Sequence, residues 1–507
     1  MKVLSMYLPQ FYRTPENDAW WGEGFTDWVS TKKAAPLFSG HVQPRIPLNS
    51  NYYDLTEKET MKWQSELMHQ YGIDGMCIYH YWFKDGRKVL EKPAENLLKW
   101  KDIDMPFCFY WANESWARSW SNVPEKNVWA NTSEPCRNGF DSEVLLEQDY
   151  GEEEIWEEHF SYLLPFFLDD RYIKIDGKPL ILIYRTESVP CLRQMLECWR
   201  KLALENDFEG IYVIGANCNS GISSVLDAIL VHEPKSALYE YFMMHPERDC
   251  LVKKISYDNI WNILLASDKN NGVQTYYSGF VDYDDSPRRG KEGNVITDAD
   301  PDKFKKYIIK LMVKNQKAGS DILFLNAWNE WGEGMYLEPD EAHGFGYLQA
   351  LKEAKEEYSN YVNEEEEIKC DDSYRRLTVV NHRIEANMQV LNKWLELYEN
   401  GISLSDFILE KYKGSIAIYG YGILGRHLYR ELNDARVEVN YIIEQEKSKV
   451  HVEIPVYSIK DDRVPVADNI IVTAVYYFDD IYDRLKGFGF KNIVSIKDLI
   501  NECRGYK

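Results

Sequence analysis

The run Asn326-Ala327-Trp328-Asn329-Glu330-Trp331-Gly332-Glu333-Gly334 sits directly after the apolar stretch Ile322-Leu323-Phe324-Leu325. Two carboxylates placed where a buried strand meets solvent can aim into one cleft, and indole faces beside them are a common platform for a sugar ring. Breaking a glycosidic bond needs a proton for the leaving oxygen and a second acid that handles the developing positive charge or activates a nucleophile; Glu330 and Glu333 offer both groups. A tight turn at Gly332 brings the carboxylates within the ~5–6 Å that goes with retention of configuration. Like charges partly desolvated by Trp328 and Trp331 split their pKa values, so that one carboxyl stays protonated near neutrality. A solvated turn is the competing reading, but turns seldom carry two tryptophans among their acids.

Such a pair needs elements to hold it. Up to about residue 350, short apolar runs alternate with helical stretches in the manner of βα units. Strands are expected at 2–8, 75–81, 106–111, 179–184, 210–216, 228–232, 272–277 and 322–327. Eight parallel strands with helices between them close most naturally into an α/β fold of the (β/α)8 TIM barrel type, with an open doubly wound sheet as the alternative. The first helix is expected to open on a Thr56/Glu59 capping box and to stop at Gly72. In a barrel, function gathers in the loops after each strand. Those positions hold Tyr7, Gln10 and Trp21 at the first strand, Tyr79 and His80 at the second, and Trp111, Asn113, Glu114 and Trp116 at the third. The fourth supplies Tyr184 and Arg185, and the eighth Trp328, Asn329 and Trp331 around the acids. All are candidate substrate-binding residues. Glu114 reads either as a partner for sugar hydroxyls or as a structural carboxylate, and His80 either orients a hydroxyl or is a core histidine. Trp111, Trp116 and Trp120 offer stacking faces, although some of them must be core.

Beyond the expected barrel, 1–355, the chain changes character. An acidic run at 364–367 reads as a solvated link, and Leu377, Val380, Ile384, Met388, Leu391, Leu395 and Tyr398 recur at helical spacing, which predicts a helical linker over 356–412. From 413 to 507 a small Rossmann-like α/β domain is expected. Its first strand leads into Gly420-Tyr421-Gly422-Ile423-Leu424-Gly425, a G-x-G-x-x-G turn ahead of a helix, and a second strand ends near Glu444, where an acid meets a ribose hydroxyl. Gly420, Gly422, Gly425 and Glu444 are therefore candidate ligands for a nucleotide or nucleotide-sugar; the alternatives are a glycine turn kept for helix packing and an interaction module. The barrel itself calls for no cofactor and no metal.

The 507 residues carry a formal charge of -23, which argues against nucleic acid because no basic stripe exists to displace counterions from phosphates. No apolar run approaches the ~18 residues of a membrane span, and no signal-peptide core precedes Pro9, so a cytoplasmic protein is expected. The 9 cysteines show no paired spacing, and reduced thiols are the default. Composition does not set the oligomeric state.

Tyr7-Leu8-Pro9-Gln10-Phe11, Trp20-Trp21-Gly22-Glu23-Gly24-Phe25-Thr26-Asp27-Trp28, Tyr71-Gly72-Ile73-Asp74-Gly75, Tyr79-His80-Tyr81-Trp82-Phe83, Trp111-Ala112-Asn113-Glu114 and the 326–334 segment together give the first 355 residues a further meaning. They resemble the WbsX-type branch of glycoside hydrolase family 99-like proteins, which are associated with bacterial surface polysaccharides such as lipopolysaccharide and are often labelled glycosyltransferases. The resemblance implies a metal-free barrel acting on an oligosaccharide or polysaccharide. It also implies roles: Glu330 as a base on the sugar's own 2-hydroxyl, forming an epoxide-like intermediate, and Glu333 as the acid/base. Gly332 stands where mannan-cleaving enzymes carry a bulkier residue. Three functions follow as expectations: a retaining glycosidase or transglycosylase of the α-mannoside type; a glycosyltransferase of polysaccharide biosynthesis, for which Asp282-Tyr283-Asp284 is the nominal metal triplet; and a catalytically silent glycan binder.

Overall fold

The computed structural model describes residues 1–117, 144–218, 223–244, 253–268, 272–361, 372–444, 450, 452–458 and 464–504. Trp120 and the acidic run 364–367 lie outside the described residues. The chain divides into two compact units, Met1–Tyr374 and Arg375–Lys507.

The first unit is a closed parallel barrel. Its strands are β1 (Lys2–Tyr7), β2 (Gly75–His80), β3 (Phe107–Trp111), β4 (Lys178–Ile183), β5 (Tyr212–Ala216), β6 (Ala228–Val231), β7 (Gln274–Tyr277) and β8 (Ile322–Asn326). They pair in chain order, and β1 closes on β8 in register from Lys2 opposite Ile322 to Ser5 opposite Leu325. The last joint is made by a divided strand. β7 pairs with β6, and Gly279–Phe280, just past Ser278, pairs with Leu325 and Asn326 of β8. Ser278 donates its backbone N–H and its hydroxyl to the Val231 carbonyl, which lets the chain leave one neighbour and join the next.

Sequence explains these elements directly. β3 and β8 are buried on both faces, as expected for parallel strands enclosed by helices. The helix Pro301–Lys317 starts on Asp300, whose side chain accepts from the Lys303 amide, has proline in its first turn, and buries Phe304, Ile308, Leu311 and Met312. The Thr56/Glu59 box does not form. Thr56 instead donates its N–H and hydroxyl to Asp54 Oδ1 at 2.7 and 2.6 Å, because the nearer aspartate captures both donors before the helix Lys58–Gln70 begins. Gly72, at φ 76°, ends that helix as expected.

The second unit holds a five-stranded parallel sheet of β9 (Ile416–Tyr419), β10 (Tyr441–Ile443), β11 (Val456–Tyr457), β12 (Asn469–Val472) and β13 (Asn492–Ser495). The spatial order β11-β10-β9-β12-β13 is that of a doubly wound sheet, with its reversal between β9 and β12. The helix Asp372–Glu399 buries Val390 and Leu397 in the same core as Ile416 and Ile418, so the later part of the stretch expected as a linker, from Val390 to Tyr412, packs into this unit, while its start belongs to the first. Of the expected apolar stripe, Leu391 packs against this core, whereas Met388, Leu395 and Tyr398 are exposed and the fully buried positions are Val390 and Leu397. Among the described residues Cys77, Cys108, Cys191, Cys198, Cys218 and Cys503 are free thiols, and no described helix is long and apolar enough to cross a membrane.

Candidate active site

β8 runs into a short hairpin in which Asn329 and Glu330 pair with Tyr336 and Met335, with the single turn Trp331–Glu333 at its tip. Both glutamates point to one cation. Arg288 Nη2 donates to Glu330 Oε2 at 3.1 Å and Nη1 to Glu333 Oε1 at 2.6 Å. The same guanidinium holds Asp27 through Nε and Nη2 at 3.3 and 3.1 Å. Two carboxylates on the two terminal nitrogens of one guanidinium lie on the order of 5–8 Å apart, within the range of paired glycosidase acids. Arg288 belongs to the short helix Ser286–Arg289 after β7, and Asp27 opens the helix Asp27–Lys33 after β1, so three loops of the barrel's carboxyl end meet here.

Gly332 is what lets them meet. A Cβ at that position would lie 2.6 Å from Arg288 Nε and 2.7 Å from Asp27 Oδ2, while its N–H donates to Asp27 Oδ2 at 3.1 Å. The ion pair occupies the volume that a bulkier residue would need.

Burial pushes the Glu330 carboxyl up to about 8, against the opposing pull of Arg288 and with the help of the Glu333 charge. Burial also raises Glu333, but its net shift is downward, set by Arg288, Lys235 and Arg289. The two sites titrate as a unit, with Glu330 shifted toward its protonated form and Glu333 toward its charged form. That is the reverse of the roles implied by the family resemblance. Access follows the same division: the Glu330 side chain is 8% exposed and the Glu333 side chain 18%.

The other expected residues separate into lining and frame. Tyr79 is half-buried and feels the charges of Glu330 and Glu333. Tyr184 accepts from Lys235 Nζ at 2.8 Å. Arg185 Nε donates to Glu114 Oε1 at 2.7 Å, with both side chains substantially exposed, so Glu114 is a surface ion-pair partner. These residues remain open to a ligand. Ten others are buried and cannot offer a free face. Asn329 exchanges hydrogen bonds with the Leu8 backbone, donating to its carbonyl and accepting from its amide, and Asn113 does the same with Arg185. Tyr7 donates to Gln64. His80 shares a hydrogen bond of 2.8 Å with His159, and burial holds its imidazole down at about 3, so it is a neutral core histidine.

Trp328 and Trp331, expected as stacking platforms, are fully buried. Trp331 lies on Tyr336 with ring centroids 3.7 Å apart and donates Nε1 to Glu338. Trp111 is core, and Trp116 packs on Trp20 and Tyr81. Trp21 lies against Phe25, and Gln10 is buried with no hydrogen-bond partner for either amide atom among the described residues. The aromatic wealth of this segment thus stiffens the frame that holds the acids.

Sequence reasoning gave no site role to Arg288, Asp27, Lys235 and Glu338. Asp27 and Arg288 lie in loops after the first and seventh strands, which was the available signal; nothing local ties them to the eighth. Glu338 is a buried carboxyl raised to about 7 by burial and held by Tyr53, Gln64 and Trp331. The Asp-x-Asp triplet has no free carboxylate: Asp282 pairs with Arg45 at 2.7 Å, and Asp284 binds His41 at 2.8 Å and Gln43 at 2.5 Å.

Two proteins from strains of Xanthomonas campestris pv. campestris, each named Uncharacterized protein WxcX, are 30% identical over 367 and 366 residues, covering 69% of this chain and 49% of theirs. The chain therefore spans about half the length of the curated relatives it matches. Among solved structures, a GH99 endo-alpha-mannosidase from Bacteroides thetaiotaomicron aligns at 15% identity and a TM-score of 0.43, over 71% of this chain and 97% of that one. A glycoside hydrolase-like protein aligns at 12% identity and a TM-score of 0.42, over 70% and 93%. The family described as Glycosyltransferase WbsX matches residues 3–351, which include β1 to β8 and both glutamates, and the chain belongs to that family.

Proposed function

We propose that the first unit is a carbohydrate-active enzyme that breaks or transfers a glycosidic bond with the Glu330/Glu333 pair. The observation that carries this reading is the single buried guanidinium of Arg288 holding both carboxylates while their pKa values move apart. One member delivers a proton to the departing glycosidic oxygen as its bond to the anomeric carbon breaks. The other, as carboxylate, takes the proton of the sugar's 2-hydroxyl, whose oxygen closes on the anomeric carbon. Water or an acceptor hydroxyl then opens that ring and returns both protons to their starting groups. Two changes of side give net retention. A sugar whose free 2-hydroxyl lies trans to the glycosidic oxygen, such as an α-mannoside, is the substrate class this asks for. Transfer to a sugar acceptor is favoured over simple hydrolysis by the family description, and the engaged Asp282 and Asp284 carboxylates disfavour a metal-dependent nucleotide-sugar transfer in the barrel.

The test uses aryl α-glycosides with good and poor leaving groups, with and without an oligosaccharide acceptor, in the parent protein, Glu330→Gln and Glu333→Gln. The variant lacking the acid keeps turnover on the good leaving group and loses it on the poor one. Such sparing in Glu330→Gln matches the free-site electrostatics, and in Glu333→Gln it matches the roles implied by the family. Unchanged turnover of both substrates in both variants rejects the pair.

A further inference from the structure

The second unit carries a motif that the barrel chemistry does not use. At the reversal of strand order, between the carboxyl ends of β9 and β12, lies a cavity of about 710 Å³ lined by Gly420, Gly422, Glu444, Thr473, Tyr477 and Arg484, among others. Its position is where doubly wound sheets bind ligands, and its volume is that of a small-molecule site.

The three glycines of the loop have different reasons to be there. Gly420 turns at φ 90°, a conformation that favours glycine. Gly425 packs its helix onto the loop so closely that a Cβ would lie 2.1 Å from the Gly420 carbonyl oxygen. Both are explained by the protein alone. Gly422 is not: it sits at φ -70°, where any residue is comfortable, and a Cβ there would meet nothing within 4 Å. It caps the helix Ile423–Asp434 and faces the cavity. Neither its own backbone nor any neighbour among the described residues requires the missing side chain, and a ligand that approaches this backbone closely accounts for it. A diphosphate at a helix N-terminus is such a ligand, held by main-chain N–H groups.

Glu444, just past β10, lines the same cavity, and one of its carboxylate oxygens accepts from the Tyr421 amide at 2.6 Å. That bond fixes an acid where the hydroxyls of a ribose attached to the diphosphate would lie, and its charge repels a 2′-phosphate. Thr473 ties the end of β12 to the loop by donating to the carbonyl oxygens of Gly420 and Tyr419 at 2.8 and 3.1 Å.

The geometry points to a binding site in the second unit for a nucleoside diphosphate group with free ribose hydroxyls, carried by a dinucleotide or by a nucleotide-sugar. The inference does not depend on the reaction assigned to the barrel.

The experiment is calorimetric titration of the full chain with ADP, UDP, NAD, NADP and UDP-glucose. A saturable one-to-one heat is expected with the diphosphates, at least tenfold weaker for NADP than for NAD. Preference for NAD identifies a dinucleotide source, and preference for UDP-glucose a nucleotide-sugar source. Gly422→Ala puts into the cavity a Cβ that meets no described atom within 4 Å, so it is expected to weaken binding at least tenfold while the melting temperature stays put; Gly422→Val, with more bulk, is expected to weaken it further. Glu444→Gln keeps an acceptor for Tyr421 and is expected to narrow the gap between NADP and NAD. Glu330→Gln is expected to leave the titration unchanged, since that residue belongs to the other unit. No saturable heat at millimolar ligand, undiminished binding by Gly422→Val, or loss of binding in Glu330→Gln overturns the proposal.

Discussion

The two units hold their functional groups by opposite means. In the barrel the chemistry lies in side chains: three carboxylates converge on Arg288, almost removed from water, with Glu330 pushed up by burial and Glu333 held down by the cations around it. In the second unit the recognition surface is main chain, a glycine loop at a strand reversal with one acid fixed beside it. Charge clusters announce themselves through perturbed titration. A backbone cradle leaves no such mark and is visible only as space that no side chain occupies.

The largest effect expected from disturbing this contrast is at Arg288. Replacing it by Met strips the only cation bonded to Asp27, Glu330 and Glu333 among the described contacts, and breaking a buried pair in this way costs about 3–5 kcal/mol. Turnover should fall by roughly a hundredfold or more. Chemical denaturation and steady-state rates measure both, and a stable, active Arg288→Met protein would dissolve the charge cluster as an explanation.

Two glycine substitutions compare the units directly. Gly332→Ala drives a Cβ into the Asp27–Arg288 pair and is expected to cost about 1–3 kcal/mol with a loss of turnover. Gly425→Ala meets the Gly420 carbonyl oxygen and should destabilise the second unit by a similar amount while leaving barrel turnover intact. Hydrogen exchange should report the first change in the barrel and the second across 416–434. An effect of Gly425→Ala on the barrel's exchange would deny the units their independence.

A smaller effect concerns pH. Glu330 holds its proton in the folded chain up to about 8, whereas the unfolded chain releases it near the ordinary glutamate value. Between those two points the folded state binds more protons, so this group makes stability fall as pH rises and has no further effect above its folded pKa. Glu330→Gln removes the contribution, and the difference in stability between variant and parent should grow through that window. A constant difference would mean the carboxyl is already charged at acid pH.

The smallest effect on catalysis is at His80. It is buried and paired with His159, so His80→Phe should cost about 1–2 kcal/mol from the stranded partner and change kcat/KM by less than roughly threefold. A large drop in kcat/KM at unchanged stability would return His80 to the substrate.

Much of the fold was legible because it is written in local pattern. Apolar runs bounded by turns gave the eight barrel strands, and the spacing of Gly420, Gly422 and Gly425 before an amphipathic helix marked the start of a doubly wound sheet. The site was half legible. Glu330 and Glu333 stand three residues apart in the chain, and their proximity survives folding. The tryptophans around them misled, since Trp328 and Trp331 look alike whether they face a sugar or Tyr336 and Glu338.

What the amino-acid sequence determined alone, then, is the set of elements and the acids that end the eighth strand, because period and adjacency need no distant partner. Tertiary structure decided which carboxyl keeps the proton, why residue 332 must lack a side chain, and which aromatics are frame. Each of those depends on Asp27 and Arg288, which barrel closure brings from the first and seventh loops to within hydrogen-bond reach of the eighth. Desolvation and charge act over a few ångströms of space, and no sequence interval encodes that distance.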